Sequence, residues 1–281
     1  MTAADWAVGV PHPAVRHLVA RYIGYAQHGV ALRMHRGLPS RHLTVIIGLA
    51  RPVTVVGMPT PGDTAVREWG LVGGMHLAPA LIAQDEVQSG IQLELEPFGA
   101  LALLGVSSVE LSGRVVGLGD LGSPQLAVLP ERLAEAPDWT SRFRILDTVL
   151  RALSAGRVAH VPPEVRWAWR ALAVADGRVR VTDLADEVGW SRRHFSERFR
   201  AAVGLTPKQA ARVLRFERAT RLLRRGRADL ATLAADCGYY DQAHFGNEWR
   251  ALAGCSPGVW MAEELPFLQD GVGFGGEDSV S

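Results

Sequence analysis

The sequence predicts an α+β protein in two domains: an antiparallel β-barrel or sandwich with flanking helices, then an all-helical unit. Three observations carry this. At 281 residues the chain exceeds the roughly 100–200 of one typical domain. Short β-branched runs recur at close spacing between residues 40 and 96, the cadence of an antiparallel sandwich or barrel. From Glu164 onward the apolar residues take helical spacing, with glycines in the turns. The expected division is 1–158, 159–265 and a Gly-rich tail, 266–281, that should fray.

Taken in order, Leu43–Leu49 and Val53–Met58 read as strands split by the turn signal Arg51-Pro52. Val66–Val72, Met75–Ile82 and Ile91–Leu95 follow, punctuated by Gly73-Gly74 and Ser89-Gly90. Glu94 and Glu96 alternate with Leu93 and Leu95, which fits one wet and one buried face. After Pro97 the pattern turns helical, over Phe98–Leu104, Pro124–Ala136 and Trp139–Leu153. The last carries an apolar stripe through Phe143, Leu146 and Leu150, as fit to join two copies of the chain as to pack on its own sheet. Gly156–Pro163 reads as a linker.

Composition excludes several classes. The longest apolar run, near Leu43–Ala50, is far short of the ~20 residues that span a bilayer, and no export signal opens the chain. A reduced cytoplasmic protein, off the membrane, is expected. Two cysteines, Cys237 and Cys255, cannot build a disulfide framework or a four-cysteine metal site. The formal net charge of +1 hides a split. Between Arg192 and Arg227 stand 12 basic residues against Glu197 and Glu217 alone, which points to a patch that meets a polyanion.

An internal repeat gives the C-terminal unit its function. Leu184-Ala185 with Gly189 recurs as Leu233-Ala234 with Gly238, while His194-Phe195, Phe199 and Gly204–Pro207 recur as His244-Phe245, Trp249 and Gly254–Pro257. A single insertion, Trp190-Ser191 becoming Tyr239–Asp241, separates the two registers. Each copy has the layout of a helix-turn-helix, at about 182–203 and 229–253. Thr182 or Asp183 would cap the first short helix, Gly189 turn the chain and Ser191 cap the second helix; Asp229, Gly238 and Asp241 would do the same in the second copy. Phe195 and Phe199, and likewise Phe245 and Trp249, form inward stripes. The outward faces hold Arg192, Arg193, Ser196, Glu197 and Arg200 in one copy, and Gln242, Ala243, Gly246, Asn247 and Arg250 in the other. These side chains can hydrogen-bond base edges and neutralise phosphate. A linker helix at about 207–225 would span ~27 Å, near the ~34 Å of one duplex turn.

Residues 164–260 resemble the DNA-binding region of AraC/XylS-type bacterial transcription regulators, through LADEVGWSRRHFSERFRAAVGLTPKQAARVLRFERA and LATLAADCGYYDQAHFGNEWRALAGCSPGVW. The resemblance implies seven helices, with two recognition helices entering adjacent major-groove segments of double-stranded DNA. By position, Arg193, Ser196 and Glu197 would read bases, with Arg192 and Arg200 nearer phosphate. In the second helix Gln242, Ala243 and Asn247 would read, with Arg250 towards the backbone. Gly246 weakens that helix by about 1 kcal/mol relative to alanine. The first motif should therefore discriminate sequence and the second mainly position the protein.

The family often joins such a unit to a cupin-like barrel that senses a small-molecule effector or forms a homodimer, and the N-terminal half resembles that domain. His35, His42, Trp69, Met75 and His76 are candidates to line a pocket. They form no H-x-H plus Glu metal set, so no metal or cofactor is expected. His194 and His244 read as packing or capping residues, and the cysteines as small core residues. The rival functions are a DNA-binding assembly module without sensing, one contacting RNA polymerase, and a DNA-repair alkyltransferase. The enzyme lacks its nucleophile, because no cysteine precedes Cys237.

Overall fold

The computed structural model describes residues 4–30, 32–156, 160–226 and 229–265. The N-terminal domain is two antiparallel sheets rather than one closed barrel. Its strands are β1 (Ala4–Gly9), β2 (Val19–His28), β3 (Met34–Gly37), β4 (Leu43–Gly48), β5 (Val53–Gly57), β6 (Val66–Glu68), β7 (Gly70–Gly73), β8 (Ala80–Ala83), β9 (Val87–Leu95) and β10 (Val115–Gly117). The larger sheet runs β1-β2-β9-β4-β7-β10 and the smaller β3-β8-β5-β6.

Two expected strands change form. Val66–Val72 breaks at Trp69, so that β6 joins the small sheet and β7 the large one. Met75–Ile82 is a strand only from Ala80, where the chain has passed Pro79, which has no N–H to give a ladder. The long β1–β2 hairpin escapes the periodicity because glycines interrupt it. A side chain at Gly9 would strike the Phe143 ring and one at Gly24 the Trp139 ring, so the strands are bare where a helix crosses them.

That helix is α5 (Trp139–Ala155), preceded by α1 (Ala100–Leu104), α2 (Ser108–Leu111), α3 (Pro124–Ala127) and α4 (Leu129–Glu135). The expected Pro124–Ala136 helix is thus two, divided at Val128. On α5, Leu146, Val149, Leu150 and Leu153 are buried and Phe143 stacks on Tyr22 at 5.8 Å. The Tyr22 hydroxyl donates to Asp147 at 3.0 Å. The stripe therefore packs on its own sheet, and this face is not open to a second copy.

The C-terminal domain comprises α6 (Pro163–Val174), α7 (Val181–Glu187), α8 (Arg192–Val203), α9 (Pro207–Arg224), α10 (Leu230–Asp236), α11 (Gln242–Ala253) and α12 (Pro257–Glu263), seven helices among the described residues. Its apolar interior is in two parts. The first, around Trp169, Phe195, Phe199 and Leu214, is continuous with the core of the sheets through Phe98 and Leu103. The second surrounds Trp249, with Phe216, Phe245 and Trp260. No described helix is long and apolar enough to cross a membrane. The expected linker centre and the tail from residue 266 lie outside the described residues.

Candidate nucleic-acid interface

The first helix-turn-helix is α7 and α8. Gly189 takes φ +69° in the turn, and the Ser191 hydroxyl accepts the His194 N–H at 3.3 Å to cap α8. Neither Thr182 nor Asp183 caps α7: its N-cap is Arg180, two residues before Thr182, and no side chain caps it. On α8, Phe195, Phe199 and Val203 are buried, which leaves Arg192, Arg193, Glu197 and Arg200 exposed and Ser196 half-buried. Arg193 Nε lies 2.9 Å from Glu197 Oε1, one helical turn away.

The second unit, α10 and α11, repeats this geometry. Asp229 and Asp241 cap the two helices, the latter accepting the His244 N–H at 2.7 Å, and Gly238 takes φ +76°. Phe245, Trp249 and Leu252 face inward. Gln242, Ala243, Asn247 and Arg250 are exposed, Gly246 is half-buried, and Arg250 donates to Asn247 Oδ1 at 2.9 Å. The histidines serve each unit alike: His194 sits edge-on to Trp190 at 4.7 Å and His244 to Tyr239 at 5.6 Å. This pairing aligns Tyr239 with Trp190 and makes Tyr240 the inserted residue; it is 92% exposed. Tyr240, just before α11, and Arg198, on α8, are both exposed and were absent from the sequence-derived set. The break in the repeat marked the first, and helical position alone placed the second off the outward stripe.

The +10 segment is not one basic patch. On α9, Arg212 pairs with Glu248 at 2.7 Å, and Arg218 and Arg221 pair with Asp176 at 2.7 and 3.0 Å. Burial opposes ionisation of Asp176, but the hydrogen bonds from Arg218 and Arg221 outweigh it and hold the carboxyl below its ordinary range. Asp176 itself takes φ +49°, and Gly177 beside it φ +71°. These arginines hold the linker helix against the α6–α7 turn. The outward cations concentrate on α8.

Between the two domains a cleft of about 1450 Å³ opens, walled by the sheets on one side and by the faces of α6, α9 and α12 on the other. His35, His42 and His76 line it; Trp69 and Met75 do not. Met75 is enclosed in the core, and Trp69 is half-exposed at the break between β6 and β7. His42 lies 3.4 Å from both Glu94 and Glu96. Burial would lower its pKa, yet the two carboxylates outweigh that and raise it. On the opposite wall, burial and then the Arg21 charge push the Arg224 guanidinium down to about 10. Cys237 is buried and Cys255 partly so, both as free thiols.

Residues 184–263 match the family described as a helix-turn-helix domain. Two curated relatives, each described as an AraC-like transcription regulator, align with a stretch of the chain. One, from Streptomyces lividans, is 37% identical over 78 residues, which are 28% of this chain and 26% of the relative. The other, from Streptomyces antibioticus, is 31% identical over 86 residues, 31% of this chain and 28% of the relative. The chain thus matches little more than a quarter of their length. A crystal structure of apo ToxT from Vibrio cholerae is similar over 93% of this chain and 97% of its own, with a TM-score of 0.50 and 9% identity. That likeness establishes the shared two-domain fold.

Proposed function

We propose that this chain, whose residues 184–263 match a helix-turn-helix domain, is a sequence-specific DNA-binding regulator of transcription of the AraC type. One observation carries the reading: two units of matched geometry each bury an aromatic stripe and leave the opposite face of a capped helix polar and exposed. Arg193, Ser196 and Glu197 read bases in the first half of the site, and Arg192 and Arg200 engage phosphate. Gln242, Ala243 and Asn247 contact the second half, with Gly246 on the same face and Arg250 at the backbone.

Selection from a random duplex library with the purified protein tests this. The expected site has two blocks one helical turn apart, and binding falls steeply with salt as arginines release counterions. Arg193→Ala relaxes preference at one or two positions, whereas Arg250→Ala weakens all duplexes alike. No preference for any duplex at low ionic strength overturns the proposal.

The N-terminal domain adds effector sensing to this reading. The cleft between its sheets and the C-terminal helices is larger than the roughly 300–1,000 Å³ of common small-molecule sites, and His35, His42 and His76 lie in its wall. A thermal-shift screen of small metabolites, with a shift lost on His76→Ala, supports sensing; no shift with any compound counts against it.

A further inference from the structure

The two reading units are attached to the N-terminal domain by different physics. The first is joined through apolar packing: Phe98 meets Trp169 edge-on at 6.5 Å, and Trp169 in turn packs on Phe199 at 6.3 Å. Where α8 ends, Gly204 lies so close to the Ser108 backbone that no side chain fits between them. Sheet, α2, α6 and α8 therefore share one interior.

The second unit has its own interior, which half-buried Leu38 and Leu77 touch from the N-terminal side. Gly254, at the end of α11, also comes close to the Pro79 ring, and around these few apolar contacts charged groups do most of the holding. Glu264, at the end of α12 and 1% exposed, accepts the backbone N–H of Arg36 at 2.9 Å. It also meets His35 Nδ1 at 2.8 Å and the Arg36 guanidinium at 3.3 Å, and Glu263 pairs with Arg36 at 2.7 Å. Both partners stand on β3, an edge of the small sheet. Just beyond it, Arg41 and Ser40 bind Glu217 of α9 at 2.6 and 3.1 Å. Arg36, Arg41, Glu217 and Glu264 all line the cleft.

We propose that the N-terminal domain controls the second reading unit alone, through the strap from His35 and Arg36 to Glu263 and Glu264, while the first unit moves with the sheets as one body. The proposal rests on the DNA-binding reading above. An interior of interlocked rings has no second arrangement of similar energy, so the first unit cannot swing without unfolding. A charged contact beside an open cleft can exchange its partners, because solvent and neighbouring groups replace each lost hydrogen bond. Glu264 is too buried to stand alone, so the strap is either made to β3 or exchanged for another partner.

The test uses the full chain and two duplexes: the selected two-block site and the same duplex with its second block scrambled. The ratio of their affinities reports what the second unit contributes. Glu264→Gln keeps the shape and removes the charge, and Arg36→Ala cuts the strap from the other side. Each should change that ratio at least threefold and raise amide hydrogen exchange across α10–α12. Affinity for the scrambled duplex and exchange across α7–α8 should stay as in the parent. The proposal is overturned if the ratio and the exchange are unmoved by both variants, or if both units loosen together. Failure of the DNA-binding reading looks different: the parent itself would not distinguish the two duplexes, while hydrogen exchange would still report the strap.

Discussion

Trp249→Ala should unfold the second reading unit and spare the rest of the molecule. The indole is fully buried and packs on Phe216, Phe245 and Trp260 at centroid distances of 4.8, 5.6 and 5.4 Å. Truncating such a residue costs about 3–5 kcal/mol. Its Nε1 has no hydrogen-bond acceptor among the described residues, so removing that donor returns about 1 kcal/mol and leaves a net loss of about 2–4 kcal/mol. A unit of three short helices closed against the end of α9 around one small interior holds only a few kcal/mol of its own. Calorimetry should therefore show an early transition separate from the main one, and the second block of the DNA site should lose its protection in footprinting. Phe199→Ala, of similar cost, sits in the interior shared with the sheets and should lower one cooperative transition instead. Trp249→Phe keeps a ring, drops the unsatisfied donor and should stay within about 1.5 kcal/mol of the parent. A single cooperative transition for Trp249→Ala, lowered as much as for Phe199→Ala, would refute the division of the interior.

Three further outcomes are expected. Gly177→Ala should cost at least 1–2 kcal/mol, roughly the left-handed penalty, since φ is +71° and the new methyl also meets the Ala211 carbonyl; thermal unfolding measures it. Gly246→Ala should stabilise α11 by about 0.5–1 kcal/mol, because among the described residues the added carbon meets, outside its own helix backbone, just the Arg250 guanidinium within 4 Å, at 3.9 Å; weaker DNA binding despite higher stability would mark a close approach of the backbone to the duplex. Burial pushes the His76 imidazole from 6.5 to about 4, so between those values the unfolded chain takes up a proton that the folded chain refuses. Stability should be intact above about pH 6.5 and fall as pH drops towards 4, and His76→Gln should flatten that limb in denaturant titrations.

The helical repeat was legible because each copy states its local physics twice: a capping Ser or Asp, a glycine at positive φ and an aromatic stripe at i and i+4. The N-terminal strands were legible only where one face is wet. β1 and β2 escaped because Gly9 and Gly24 leave room for rings from α5, more than 110 residues away in sequence. Charge was the least reliable guide. The basic run counted Arg212, Arg218 and Arg221 towards DNA, but Glu248 and Asp176, which take them, lie outside the run. The cleft histidines were picked by residue type, and the same criterion picked Met75, which packs in the core, because no local pattern separates a cleft wall from a filled interior.

The ring ladder from Phe98 through Trp169 to Phe199 has a bearing on how such chains can be recombined. Severing the polypeptide between sheet and helices would bare a sticky aromatic wound on each fragment, although the sequence there reads as a spacer. Grafting these heads onto a foreign sensor would demand transplanting the matching socket from α2 and the turn before α1 as well.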